Sequence, residues 1–550
     1  MQAPRQARRG TRSSGRRVGD GQRVAANRVV YERLVDHVER RLAAGRFESA
    51  MGFAQVAAAY AASNPNGLLR DLRLEAQLDL LAVSAMPELG DVRAAAVASR
   101  RRVLHVLTEV HLVGGHRRMA VRWMRTDEGS DSTVAVTRPL GPLPPDVVSA
   151  PTTGHVGCLD DRSLVVRASQ LRVMATAADL VVCHTHPDDP VPAVAFGGTY
   201  SGPPVLLVNH ADHVFWLHTG AVAIVVNLRK IGAAAAHSHR NYPVDRCLLL
   251  PTPVDPPRSP GSRPGARSAF GFLSDQTVLL TLARGSKYKA HGSDPGFCAV
   301  LAPVLEAHPA AVLLAVGPDP QDGDWASLIA QHPGRVVLPG LLADPGPALA
   351  AADVYLDSFP FGSVTSMLEA AAEALPVVTL RPQVGWAELL SSSGPLDDVV
   401  VIARDRSQFA EELVDLITND ARRRRLGELA ASAIRAKHLP DVWHEALNAL
   451  YDTAVAPGPA APSAWASDQD DAAAYAEALL SVEPGSPLLW TLLNALQHMD
   501  ACDRRIEGVR TLAARIYGRT SGSNTARTDA LLSMRSRSAW ERGQRGRRAR

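Results

Sequence analysis

The chain uses Arg 55 times but Lys only four times, at Lys230, Lys287, Lys289 and Lys437. Two of the four fall in Ala283-Arg284-Gly285-Ser286-Lys287-Tyr288-Lys289, directly after the apolar run Val278–Leu282. A compact ammonium charge does what the planar guanidinium fork does not, and cations in a Gly-containing loop at the carboxyl end of a strand suit a diphosphate. A second segment, Asp357 to Glu369, follows the run ending at Leu356 and opens a helix. Free N–H groups at that start, beside Gly362 and the hydroxyls of Ser363, Thr365 and Ser366, make an anion site. Glu369 lies four residues after Thr365, on the same helical face, where a carboxylate can accept hydrogen bonds from a ribose diol. Taken singly, the first segment also reads as a solvated turn and the second as a capped helix. Together they describe a nucleotide-diphosphate pocket.

Three histidine groups stand where strands should end: Gly114-Gly115-His116, Cys183-His184-Thr185-His186-Pro187-Asp188-Asp189, and Asn209-His210-Ala211-Asp212-His213. Histidine accepts a proton near neutral pH, so His116, His186, His210 and His213 are the candidate bases. Asp212 would orient a neighbouring imidazole through its second nitrogen. Each of these histidines also has an ordinary reading, as a hydrogen-bonded structural imidazole.

The elements that must position these residues follow from texture along the chain. Residues 29–100 read as helices, with Val30, Leu34, Val38 and Leu42 at four-residue spacing and a turn at Asn64-Pro65-Asn66-Gly67. From residue 101, short β-branched runs alternate with helical stretches: Val103–Leu107, Leu180–Val182, Val205–Val208 and Ala223–Val226. Residues 101–250 are therefore expected to form a parallel sheet with crossover helices. A proline-rich segment, 251–269, reads as a linker. A second alternating series fills 270–451, with strands at Val278–Leu282, Val312–Val316, Val336–Leu338, Val354–Leu356, Val377–Leu380 and Val399–Ile402. Another linker, 452–469, precedes helical residues 470–520 carrying Tyr475, Leu479, Trp490, Leu493 and Leu496. The fold class is α/β: two facing Rossmann-like domains with helical appendages, and a cleft between the carboxyl ends of two sheets.

Composition sets the outer limits. The 550 residues, 46% hydrophobic and 21% charged, can bury sizeable cores. No apolar run is long enough for a membrane helix, and the Arg-rich start lacks a secretory apolar stretch. The five cysteines include no CxxC pair, which argues against a disulfide scaffold or zinc knuckle. A cytoplasmic protein is expected. The net charge of +3 conceals basic ends: residues 1–28 and 531–550 together carry +13, leaving −10 for the body. Tails 1–28 and 521–550 read as disordered, able to touch an anionic membrane peripherally. The acidic body argues against nucleic acid as a specific partner.

Residues 101–450 resemble glycosyltransferases of the GT-B fold. Arg284 and Lys289, five residues apart after a strand, match the Arg and Lys that grip the donor diphosphate in many retaining members. The stretch Gly362 to Pro376-Val377-Val378-Thr379, with Thr365-Ser366 and Glu369, is similar to the donor signature of the SPINDLY-like, O-linked N-acetylglucosamine transferase-like group. The resemblance implies an inverting hexosyltransferase that uses a UDP-sugar co-substrate and acts on a glycan, polypeptide or small-molecule acceptor. With Arg284, Lys287 and Lys289 to neutralise the diphosphate and no DxD-type carboxylate pair standing out in the donor domain, no metal or further cofactor is expected. Three departures stand out. Phe361 occupies the position eight before Glu369 where retaining enzymes have a second glutamate, Val364 replaces the His that precedes the hydroxyl pair, and Glu369 stands where the SPINDLY-like signature has Asp. The runner-up readings are a non-transferring GT-B protein, either an epimerase or a binding module, and a metal-dependent hydrolase built on His184-x-His186-x-Asp188.

Overall fold

The computed structural model describes residues 14–88, 100–111, 115–217, 221–257, 263–289, 296–381 and 385–455, together with Tyr475, Ala476, Leu479, Leu480, Leu492, Met499 and Asp503. The first sheet holds β1 (Arg101–Leu107), β2 (Ser130–Val136), β3 (Val156–Cys158), β4 (Leu180–His184), β5 (Val205–Asn209), β6 (Val222–Asn227) and β7 (Cys247–Leu249), in the order β3-β2-β1-β4-β5-β6-β7. The second holds β8 (Thr277–Leu282), β9 (Ala311–Val316), β10 (Val336–Gly340), β11 (Val354–Leu356), β12 (Val377–Leu380) and β13 (Val401–Ala403), in the order β10-β9-β8-β11-β12-β13. Every pairing is parallel. Strands such as Val-Leu-Leu-Val-Asn and Ala-Val-Leu-Leu-Ala-Val are buried along their whole length, because helices cover both faces of each sheet and leave no side for water. Strand order reverses between β1 and β4 in one sheet and between β8 and β11 in the other. Ligands of open α/β sheets bind at such points.

The helical start of the chain is part of the first domain. Helices Ser14–Ala43, Phe47–Ser63 and Leu72–Ala85 share one core with Leu104, Val106, Val181, Val205 and Val225 of the first sheet. Glu48 accepts from Leu164 N and Ser163 Oγ at the start of helix Leu164–Ala175. The opposite face of the sheet is covered by Met119 and Trp123 and by Trp443, Leu447 and Tyr451 of helix Pro440–Val455. That last helix follows the second domain in sequence and packs back across the first.

Several expectations change. The tail placed at 1–28 contains the beginning of helix Ser14–Ala43: Val24 is buried and Asn27 Nδ2 donates to Pro65 O. Residues 1–13 lie outside the described ones. The linker placed at 251–269 includes helix Arg263–Ala269, whose Arg267 donates to Ala351 O, Ser274 O and Gln276 O and so belongs to the second domain. Strands β2, β3 and β7 add to those expected. The first is half polar, with Ser132 held by Thr152, and the other two have three residues each. The last strand starts at Val401, not Val399. The boundary placed at 451 falls inside helix Pro440–Val455, which packs on the first domain. Trp490, Leu493, Leu496 and the tail at 521–550 lie outside the described residues. Among the described residues, no helix is long and apolar enough to cross a membrane.

Candidate functional site

The two reversal points face one cleft of about 920 Å³, within the range of small-molecule sites. All thirteen residues singled out above line it: His116, His186, His210, Asp212 and His213 from the first domain, and Arg284, Lys287, Lys289, Gly362, Ser363, Thr365, Ser366 and Glu369 from the second.

On the second-domain side, β8 ends at Leu282 and the chain turns through Ala283 and Arg284 into the 3-10 turn Gly285–Tyr288. Tyr288 is buried against Phe297 and Trp325, and its hydroxyl lies 2.8 Å from Thr281 Oγ1, which fixes the loop to its own strand. Lys287 therefore points outward. Its Nζ donates to Gly362 O at 2.6 Å and lies 4.6 Å from the centroid of the Phe361 ring. The two segments, 75 residues apart in sequence, thus meet at one lysine.

The second segment is held from beneath. Buried Asp357 accepts from Ser363 N at 2.9 Å and from Thr379 Oγ1 at 3.0 Å. Burial raises its pKa, while Ser363, Ser392 and Lys287 pull it back. Gly362 is needed where it stands, since a Cβ there would run into the backbone N of Ser392. Helix Val364–Ala372 then begins, with Ser363 as its N-cap and no side-chain cap, so its opening N–H groups face the cleft beside Lys287.

Lys289 and Glu369 depart from expectation. Lys289 sits at the rim, its side chain 57% exposed and its Nζ 3.5 Å from Asp322 Oδ2. Glu369 is not a waiting acceptor. Arg118 Nη1 donates to both its oxygens at 2.8 and 2.7 Å, and Arg122 Nη2 donates at 2.7 Å. Both arginines lie on helix Gly115–Thr126 of the first domain, so the carboxylate ties the two domains together. Three of roughly four acceptor positions on a carboxylate are filled.

Further contacts bridge the domains. A Cβ on Gly115 would lie 2.7 Å from Thr365 Oγ1, so the first-domain helix start touches the second-domain helix start; its neighbour Gly114 lies outside the described residues. Arg229, at the end of β6, donates to Asp212 at 2.7–2.9 Å and also to Ser391 O and Leu389 O of the second domain. Asp212 is thereby occupied chiefly by Arg229 rather than by an imidazole; His213 Nδ1 is 3.5 Å from its Oδ1. Burial would raise the Asp212 pKa, but Arg229 and His213 bring it to about 2.

The histidines form a connected group. His105 Nδ1 is 3.2 Å from His184 Nε2, and His184 Nδ1 is 3.1 Å from His210 Nε2. His116 Nε2 is 2.8 Å from His184 O. A carbonyl only accepts, so His116 carries its proton on Nε2 and leaves Nδ1 as a lone pair. Its ring centroid is 4.1 Å from that of His210 and 5.0 Å from that of His186. Burial drives His105 and His116 to about 3. Burial and the neighbouring imidazoles hold His184 and His210 well below the usual value. His186 is lowered by burial against the pull of Asp188 and Glu109, with Arg138 opposing them. His213 packs edge-on against Phe361 at 4.8 Å, so the side chain that replaces a glutamate contacts both Lys287 and His213.

The metal-hydrolase reading finds no support in this geometry. Both His184 nitrogens face other histidines, Asp188 is paired with Arg138 at 3.0–3.1 Å, and Asp189 caps helix Pro190–Ala195. Among the described residues, no three His, Cys, Asp or Glu side chains are grouped to hold a metal ion. Sequence reasoning missed Arg118, Arg122 and Arg229, and it missed His105 as part of the histidine group. The i, i+4 spacing of Arg118 and Arg122 on a helix at a strand end was the only available signal.

Residues 277–419 match the family model described as Glycosyl transferases group 1. No curated protein sequence matches the chain. Among solved structures, Anabaena Alr3699/HepE in complex with UDP and glucose aligns with a TM-score of 0.50 at 14% identity, over 64% of this chain and 100% of that one. A glycosyltransferase from Rickettsia africae ESF-5 aligns with a TM-score of 0.51 at 12% identity, over 66% of this chain and 100% of that one. An O-GlcNAc transferase of Thermobaculum terrenum scores 0.47 at 16% identity, over 79% of this chain and 83% of that one. The architecture is the GT-B fold. Within that fold, the second domain carries the match to a glycosyltransferase family model.

Proposed function

We propose that this enzyme moves a hexose from a UDP-sugar to an acceptor hydroxyl, without a metal ion and with inversion at the anomeric carbon. The observation that carries the reading is the bond from Lys287 to Gly362 O. It brings an ammonium and an uncapped helix start to the same point of a cleft sized for a nucleotide. UDP is the natural candidate because Anabaena HepE, which shares the fold, was crystallised with it.

Lys287, the N–H groups opening helix Val364–Ala372, and Arg284 would hold the diphosphate. They would meet charge as it grows on the leaving oxygen, which is the term usually largest in such catalysis. The acceptor oxygen attacks the anomeric carbon while the bond from that carbon to the diphosphate oxygen breaks. The bonding pair leaves with UDP, and the acceptor proton passes to His210. Burial keeps His210 unprotonated at neutral pH, the form in which a proton acceptor must start. Glycan, polypeptide and small-molecule acceptors all fit the chemistry of a hydroxyl nucleophile.

The test is to incubate the protein with a panel of UDP-sugars in the presence of EDTA and follow UDP release, then read the anomeric configuration of the product by proton NMR. Release that survives chelation, with an inverted product, supports the proposal. Tight UDP binding with no turnover of any donor would favour a binding module. Activity that requires added metal would overturn the metal-free mechanism.

A further inference from the structure

Three imidazoles run in series from the core of the first domain to the cleft. His105, on β1, and His184, at the end of β4, are both wholly buried, and they are adjacent because β1 pairs with β4. His184 reaches His210, just after β5, and His210 lines the cleft. A neutral imidazole has one donor nitrogen and one acceptor nitrogen. His184 uses both ring nitrogens on other imidazoles, so it must donate to one neighbour and accept from the other. The direction is then common to all three rings: every proton sits on Nε2, or every proton sits on Nδ1.

The inner end of the chain separates the two cases. Nε2 of His105 is buried without a hydrogen-bonding partner, and its surroundings are aromatic, with the Trp123 ring steeply inclined to it at 76° and 6.2 Å away. A buried N–H can be received by an aromatic face, whereas a bare imidazole lone pair there would have no donor at all. The Nε2–H form is also the one that free histidine prefers. At the outer end, no protein group among the described residues takes up His210 Nδ1.

We infer that His105 and His184 are positioning residues: they lock His210 in its Nε2–H tautomer and so present its Nδ1 lone pair to the cleft as the proton acceptor. Neutrality of the chain agrees with this, since burial lowers the pKa of all three rings. His116, fixed as Nε2–H by the carbonyl of His184, stands beside His210 with the same polarity. The catalytic part of the inference rests on the transfer reaction proposed above; the tautomers do not.

The experiment is a long-range proton–nitrogen correlation spectrum of the full chain with 15N-labelled histidine at neutral pH, with His210→Asn and His105→Phe used for assignment. The expected result is Nε2–H and bare Nδ1 at His105, His184 and His210. Nδ1–H at any of them, or an imidazolium, overturns the inference. In His184→Leu the His210 nitrogens should move to averaged values, because neither ring end is then fixed. Unchanged His210 shifts would remove the positioning role, and if that variant does not fold, the wild-type spectrum still decides the direction. His210→Asn should lose roughly a hundredfold or more in transfer rate with UDP affinity within about twofold. An unchanged rate would contradict His210 as acceptor. A wild-type protein with the expected tautomers but no turnover would instead count against the transfer reaction.

Discussion

The ammonium of Lys287 lies 2.6 Å from the carbonyl oxygen of Gly362 and over the ring of Phe361. This places a point charge at the mouth of a helix whose first N–H groups are turned to the same space. Lys287→Ala should therefore weaken UDP binding by about 1.5–3 kcal/mol, the range for a lost hydrogen bond to a charged group. Lys287→Arg should restore little, because the planar fork is not a point charge. Isothermal titration with UDP measures both, and affinity unchanged in Lys287→Ala would remove this residue from the site.

Lys289 should matter less. It is exposed and already beside Asp322, a setting in which a charge contributes about 0–1 kcal/mol. The same titration on Lys289→Ala should show at most a fewfold loss, and a loss equal to that of Lys287→Ala would contradict the ranking.

Gly115→Ala tests the contact between the two helix starts. The added methyl would meet Thr365 Oγ1 at 2.7 Å, pushing the domains apart or turning a β-branched side chain from its rotamer. Transfer should fall while the fold survives, and Gly115→Ala combined with Thr365→Ala should recover part of the loss. Failure of the second change to recover anything would mean that the added methyl acts elsewhere, since residues in contact are expected to couple.

Glu369→Gln should leave Arg118 and Arg122 without their shared carboxylate, although Arg122 keeps Asp255 at 2.7 Å. Removing one partner of a buried ion pair costs about 3–5 kcal/mol, and partial exposure of Arg118 places the expected loss near the lower end. Chemical denaturation reads the stability, and small-angle scattering should show a more open arrangement of the two domains. A variant as stable and as compact as the parent would contradict the role of Glu369 as an interdomain tie.

The histidine group should make the protein acid-labile. His105 and His116 titrate near 3 in the folded chain, and His184 and His210 also lie far below their ordinary value. The unfolded chain takes up these protons near pH 6.5. Their contribution to stability is thus complete above about pH 6.5 and declines as the pH falls toward 3, by up to about 1.4 kcal/mol per pH unit for each group. Denaturation midpoints should drop steeply between pH 7 and pH 4.5, and His105→Phe should flatten that slope. A midpoint independent of pH over that window would contradict neutral burial.

Much of this is legible without coordinates. Runs such as Val278–Leu282 and Val205–Val208 announce strands because a sheet covered on both faces has no place for polar residues. The lysine pair stands out because Lys is so scarce in this chain. The rest needs three dimensions. Arg118 and Arg122 are two among 55 arginines, and nothing local tells which carboxylate they meet across a cleft. His105 sits within an apolar run, and its partner emerges only from the register that sets β1 beside β4. Strand β2 hides behind Ser130, Asp131 and Ser132: Thr152, some twenty residues on, holds the two serines, and Arg100 pairs with Asp131. The basic start reads as a tail because charge dominates it, yet Val24 keeps it anchored.

The most direct measurement is a crystal structure of the full chain with UDP bound. The predicted result is a diphosphate within hydrogen-bonding distance of Lys287 Nζ and of the backbone N–H groups opening helix Val364–Ala372. A nucleotide seated elsewhere, or one whose phosphates face away from both, would contradict the assignment of this cleft as the donor site.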